Sequence, residues 1–300
     1  MTKSSPMRAP DRNPDVVSTK KACYVGVAGK ARKVKKIYTG VANKARKVKK
    51  AYVGVGGKAR LFYSAEQKLA YYGTVTELSE RRCSLAATTV GGYALFGGGY
   101  ANNALATVDA YSASLVHSTP TLLSVGRKEL AATTVGGYGL FGGGYASYGI
   151  NSTVDAYSAS LVRTTPAPLS NARYDIAATT VGDYGLFGGG KSNNNFSTST
   201  VDAYSASLVH STPTLLSVGR SDLAATTVGN YGLFAGGYDS GSDYFSTVDI
   251  YSISLVRSTA TPLSKVRGGM AATSVGGYGL FAGGFYSSVR YSTVDAYTVV

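Results

Sequence analysis

Tryptophan is absent from this chain of 300 residues, and cysteine and histidine occur only twice each. Two cysteines, Cys23 and Cys83, are too few to staple a fold or to build a thiolate metal site. The two histidines, His117 and His210, fall at one position of a repeat where Arg163 and Arg257 stand in other copies. Arginine is neither a metal ligand nor a general base, so that position is expected to make a repeated structural contact. No metal, cofactor or catalytic residue is assigned, and an enzyme is not expected. Apolar runs of about 18 residues are also missing, as is an apolar segment in residues 1–20 of the kind a signal peptide uses. The expectation is a chain made in the cytoplasm of its host, with no membrane insertion.

Acidic residues are scarce at one end only. Residues 1–64 carry 17 Lys and Arg against Asp11 and Asp15, whereas residues 65–300 carry 13 basic and 14 acidic side chains. The net charge of +14 therefore belongs to an N-terminal module, and the remainder is nearly neutral.

What the chain has in abundance is glycine, 38 residues, and tyrosine, 24 residues, in a strict recurrence. The stretch Leu-Ala-Ala-Thr-Thr-Val-Gly-Gly-Tyr-Ala-Leu-Phe-Gly-Gly-Gly-Tyr opens at Leu85, and near copies open at Leu130, Ile176, Leu223 and Met270. Spacings of 45 to 47 residues mark a stacked-repeat architecture. Within each repeat the residues predict four short strands joined by turn glycines, with no helical periodicity, which describes a propeller blade. The last repeat ends after its third strand, and residues 78–85 align with residues 123–130. Residues 68–76 are thus expected to supply the missing fourth strand and to close a five-bladed ring.

Residues 1–19 hold three prolines among polar residues and are expected to be a disordered leader. Between residues 20 and 64 a shorter repeat of 14 residues carries Tyr24, Tyr38 and Tyr52 in register. The same register holds the pairs Lys30 and Arg32, Lys44 and Arg46, Lys58 and Arg60. Each copy predicts a hairpin with a turn near Gly29, Asn43 or Gly57. A hairpin of that size buries too little to stand alone, so the module is expected to stack, oligomerise or lie on a partner.

Two resemblances follow from these residues. The glycines ending the second strand, the arginines Arg82, Arg127, Arg173, Arg220 and Arg267, and the tyrosines Tyr111, Tyr157, Tyr204, Tyr251 and Tyr297 resemble kelch repeats over residues 66–300. The pattern departs from kelch in lacking tryptophan and in having five copies. The basic repeats resemble segments of phage tail, fibre and minor virion proteins. The combined expectation is an all-β protein: a leader at 1–19, a basic β-repeat attachment module at 20–64 and a five-bladed kelch-like β-propeller at 65–300.

Repeat length varies in one place, the loop before the Thr-Val-Asp strand, which holds 6, 7, 8, 8 and 7 residues in the five copies. Tyr, Ser, Asn and Gly on a rigid scaffold make adaptable binding surfaces. The ligand-binding candidates are Asn102, Asn103, Tyr148, Asn151, Asn194, Phe196, Asp239, Tyr244, Tyr286 and Arg290, with a carbohydrate as the expected ligand class. Lys30, Arg32, Lys44, Arg46, Lys58 and Arg60 are candidates for docking on a particle or on an anion.

The segment Gly185 to Ser192 matches the phosphate-loop pattern, but that pattern needs a helix after its lysine, and here Lys191 takes the place of Tyr100 in a β-repeat. The repeated carboxylates Asp109, Asp155, Asp202, Asp249 and Asp295 repeat one environment, whereas acid and base catalysis needs two different ones, so pairing with the repeated arginines is expected. The implied function is a phage or phage-like particle protein on the virion surface, homo-oligomeric and bound to other virion proteins. Its propeller would contact a host cell-surface glycan or protein. Alternatives are a decoration protein without receptor role, and an intracellular kelch-type scaffold or a nucleic-acid-binding protein acting through residues 20–64.

Overall fold

The computed structural model describes residues 71–299 in full and, before them, the backbone of six strands between Tyr24 and Ser64. The chain divides into two compact bodies, Met1–Gly73 and Thr74–Val300. In the first, Tyr24–Val27 pairs with Lys30–Lys33, Tyr38–Val41 with Lys44–Lys47, and Lys50–Val55 with Lys58–Ser64, each antiparallel. The three hairpins expected from the 14-residue repeat are therefore present. The leader, the hairpin turns, Cys23 and the side chains of the six basic docking candidates lie outside the described residues.

The second body is all-β, and its described residues contain no α-helix. Four antiparallel sheets of four strands follow the repeats, each with strands in chain order. The first runs through Ala86–Val90, Tyr93–Gly97, Val108–Ser112 and His117–Ser118. Alternation sets the two faces of the first strand: Ala131, Val135 and Thr133 of the second repeat are buried, and Ala132 packs against the core of the first. Each core forms between two successive repeats. Phe141 and Tyr157 of the second complete the cluster made by Val90, Leu95, Val108 and Ala110 of the first, and Phe187 with Tyr204, then Phe234 with Tyr251, do the same further along. Each phenylalanine meets its tyrosine edge to face, at centroid distances of 5.9 to 6.0 Å.

Close stacking needs a missing side chain. A Cβ on Gly139 would lie 2.9 Å from Thr88 Cγ2, and one on Gly185 3.0 Å from Thr133 Cγ2. Gly232 and Gly279 hold the same place, but the first repeat has Ala94.

The expected closing strand is not found over the part of it that is described. Residues 71–76 carry no strand, and Tyr71 and Tyr72 are 85% and 81% exposed. The segment that follows is instead fastened to the first repeat. The Thr76 carbonyl accepts from the Tyr111 hydroxyl, and Asp109 accepts from the Ser79 amide and from Arg82. Those bonds repeat the ones Thr121, Ser124 and Arg127 make to the second repeat, so the alignment of residues 78–85 with 123–130 holds in space. The fifth sheet has three strands, Ala271–Val275, Tyr278–Ala282 and Val294–Thr298. Among the described residues nothing covers its outer face: Val275 and Val294 are 62% and 56% exposed, where their counterparts Val228 and Val248 are 4% and 0%.

Candidate functional site

The most deeply buried charges recur in every repeat and are structural. Arg127 and Asp155 are fully buried and meet at 2.7 Å, while Arg127 also donates to the Phe141 carbonyl at 3.1 Å. The second carboxylate oxygen of Asp155 takes the Ser124 amide and Arg163. Arg173 and Asp202, and Arg220 and Asp249, repeat the pair at 2.5 and 2.8 Å. The residue shared by His117, Arg163, His210 and Arg257 comes from the fourth strand and reaches the same aspartate at 2.6 to 2.9 Å. Burial pushes the Asp109 carboxyl up, but His117, the Ser79 amide and Arg82 outweigh it and hold the group below the usual carboxylate range. These aspartates fasten the linker between repeats to the next sheet, pairing with the repeated arginines as the sequence implied.

The first strands line an open cavity of about 350 Å³ with threonines, among them Thr88, Thr133, Thr179 and Thr226. Hydroxyls pair across neighbouring repeats: Thr88 with Thr134, Thr133 with Thr180, Thr179 with Thr227, at 2.7 to 2.8 Å. The doubled threonine of the first four repeats thereby ties each sheet to the next.

At one end of this cavity lies the rim that carries the variable loops. The residue after each repeated arginine pairs with the residue after the glycine cluster: Cys83 with Tyr100, Lys128 with Tyr145, Tyr174 with Lys191, Ser221 with Tyr238, Gly268 with Phe285. Cys83 is exposed and, among the described residues, has no disulfide partner. The next residue turns inward with positive φ, and Ser84, Glu129 and Asp175 are joined by amide-to-carbonyl bonds from repeat to repeat. Lys191 sits among Asp175 at 3.3 Å, the Tyr238 hydroxyl at 3.2 Å and the rings of Tyr174 and Tyr238. After it comes a single 3-10 turn, Asn193–Asn195, so the phosphate-loop match lacks the helix it needs. Burial opposes its charge, yet Tyr238 and Asp175 hold the Lys191 ammonium above its ordinary range.

Burial, with Asp222 nearby, pushes the Asp175 carboxyl up to about 6. A carboxyl whose folded value exceeds its ordinary value binds its proton more tightly in the folded state, so stability falls as pH rises from about 4 to about 6. Asp175→Asn is therefore expected to raise the thermal midpoint relative to the native chain at pH 8. The gain should shrink through pH 6 and vanish near pH 4 in a midpoint series; a gain constant across pH would contradict it.

The sequence candidates divide on this rim. Tyr244, Tyr286 and Arg290 are brought together: the rings of Tyr244 and Tyr286 lie 5.1 Å apart, Tyr244 is 5.8 Å from Phe285, and the Arg290 guanidinium stacks on Phe285 at 5.2 Å. Tyr238 joins them at 5.1 Å from Tyr244. Tyr286 is 44% exposed, and among the described residues Arg290 makes no ion pair. Asp239 and Asn151 do a different job. Asp239 caps its own loop by accepting from the Gly241 and Asp243 amides, and Asn151 accepts from the Thr153 amide. Asn102, Asn103, Tyr148, Asn194 and Phe196 are exposed on the loops of the first three repeats. Tyr174, Lys191, Asp175 and Asp222 were not among the candidates. Their signal was present, because the two residues after each arginine read Cys-Ser, Lys-Glu, Tyr-Asp, Ser-Asp and Gly-Gly.

No acidic, histidine or cysteine cluster suited to a metal occurs among the described residues. No family model matches the chain, and no curated protein matches it. Among solved structures the chain is similar to "Structure of YjhT", with a TM-score of 0.61 at 13% identity, over 73% of this chain and 82% of that one. At that identity the likeness carries the fold alone, and with the sheets described above it supports a β-propeller-like body.

Proposed function

We infer that the β-propeller-like body is a binding module whose ligand is a saccharide on a host cell surface. Its basic N-terminal hairpins dock it on a phage or phage-like particle. The aromatic cluster of Tyr238, Tyr244, Phe285 and Tyr286 carries the binding part of this reading. Rings contributed by two neighbouring repeats offer flat apolar faces, and the hydroxyls beside them suit a ligand that is apolar on its ring faces and polar at its edges. The particle setting is supported by the likeness of the basic repeats to virion segments and by the +15 balance of residues 1–64, which favours attachment to an acidic surface. The body is best read as kelch-like with five blades, and as a binding protein without catalytic chemistry.

Glycan-array and whole-cell binding by the full chain test the reading. Replacing Tyr244, Tyr286 and Arg290 together by alanine is expected to weaken binding at least about tenfold, the scale of losing a central hot spot. The thermal midpoint should hardly move, because these side chains sit on the rim. Binding that survives the triple replacement would sink the assignment of the site.

A further inference from the structure

A series of aromatic and cationic side chains runs along the rim from the first repeat to the fifth, each in contact with the next. The Lys128 ammonium lies over the rings of Tyr100 and Tyr145, at 5.2 and 5.8 Å. Tyr145 meets Tyr174 edge to face at 5.6 Å, and Lys191 lies over Tyr174 and Tyr238 at 5.8 and 5.0 Å. From Tyr238 the series passes through Tyr244 to Phe285 and Tyr286 and ends at Arg290. Two backbone positions build most of it, the residue after each repeated arginine and the residue after each glycine cluster. In the second repeat these hold Lys128 and Tyr145, and in the third Tyr174 and Lys191, so cation and ring exchange places while the combination is retained. A contact that served the fold alone would hold each type at one place, as the buried arginines and aspartates do. In the fifth repeat glycine makes room for the rings: a Cβ on Gly268 would lie 3.0 Å from Tyr238 Cδ1, and one on Gly269 2.5 Å from Phe285 Cε1. Tyr100, Tyr145 and Tyr286 are exposed.

Rings that recur with the period of the array fit a ligand that is itself a repeat. Charge sets its class. Lys128 pairs with Glu129 at 2.9 Å, and Lys191 stands 3.3 Å from Asp175 and 3.8 Å from Asp222, so both ammonium groups are matched by carboxylates on the same rim. A polyanion, whether nucleic acid or acidic glycan, draws its affinity from cations that are not compensated in this way. A neutral sugar chain has no such need. It requires flat apolar faces and, between them, donors and acceptors side by side for its hydroxyls, which each ammonium and carboxylate pair offers. We propose that the rim binds a linear, neutral polysaccharide laid along this series across several repeats. The inference rests on the saccharide reading of the rim and extends it, with Tyr244 and Tyr286 as one stretch of a longer track. Once one sugar is held, the next binds as part of the same chain, so affinity grows with ligand length.

The test is calorimetric titration of the full-length protein with linear neutral glucan, mannan and galactan oligomers graded from disaccharide to dodecasaccharide. In at least one series affinity is expected to rise at least about tenfold from the shortest oligomer to the longest. Tyr100→Ala and Tyr145→Ala, rim changes far along the chain from Tyr244 and Tyr286, should each weaken dodecasaccharide binding roughly threefold to tenfold, the size of one lost stacking contact. Two positions are used so that a folding defect at one, read from the circular dichroism spectrum, leaves the other to decide. Polygalacturonate and oligothymidylate serve as charged probes, and any binding they show through the basic hairpins should be indifferent to Tyr145→Ala. Charged-probe binding that Tyr145→Ala weakens would overturn the choice of a neutral chain. Affinity that does not grow with length, or native dodecasaccharide binding by both variants, would overturn the track while leaving a saccharide site at Tyr244 and Tyr286. Failure of every neutral oligomer to bind would also overturn the proposal, whereas the saccharide reading itself falls only if the glycan array and whole cells go unbound as well.

Discussion

Arg173→Ala is expected to destabilise the propeller body by about 3–5 kcal/mol, the usual cost of stripping a buried ion pair of one partner. At about 2–4 °C per kcal/mol for a body of this size, the thermal midpoint should fall by roughly 10 °C. The physical cause is the carboxylate left behind. Asp202 is fully buried, and without Arg173 it keeps only the Ser170 amide and His210, whose side chain is 20% exposed, as partners. The Phe187 carbonyl loses its donor in the same step. Removing both charges, as Arg173→Met with Asp202→Leu, should recover most of the loss, because no unpaired charge then remains in the interior. If the single replacement cost less than about 1 kcal/mol by denaturant unfolding, the pair would be a bystander, and the account of how linkers are fastened to sheets would fail.

Phe187→Ala should cost about 3–5 kcal/mol, since the ring fills the core of the preceding repeat and little around it can collapse into the space. Val135, Leu140, Val154 and Ala156 all pack in that cluster. The corresponding change in the first repeat, Phe96→Ala, should cost less than half as much. Phe96 is only partly buried and keeps an edge-to-face contact with Tyr111, and among the described residues no preceding repeat receives the ring. Equal losses at the two positions would mean that the first repeat is stacked on another sheet after all. Denaturant melts of the two variants therefore measure whether the array is open between its first and fifth members.

Much of this body was legible because its rules are local and repeated. Alternation in Ala-Ala-Thr-Thr-Val, turn glycines at fixed offsets and the shared Arg and Asp positions predict the blade strands and the Arg–Asp pairs, and both are found. The interchange of His117 with Arg163 correctly implied a structural contact, because only a site that needs a hydrogen-bond donor tolerates both side chains. The closing strand was not legible in the same way. Alignment placed residues 78–85 correctly, but it says nothing of whether the segment before them reaches another sheet, and Tyr71 and Tyr72 lie exposed. Contacts that join different repeats, such as Thr133 with Thr180 or Tyr244 with Tyr286, depend on how sheets are rotated about the axis. A period along the chain does not contain that rotation. Asp239 and Asn151 were attractive as ligands because they are polar and lie in loops, yet short polar side chains in turns most often bond their own backbone.

The alanine at position 94 gives the array a direction. A further sheet could be laid on the bare face of the fifth repeat by repeating the contacts already made, but none could be slid in ahead of the first without a methyl group in its way. A lengthened or shortened relative of this chain would therefore be expected to gain or lose its sectors at the trailing side, with the leading one unchanged.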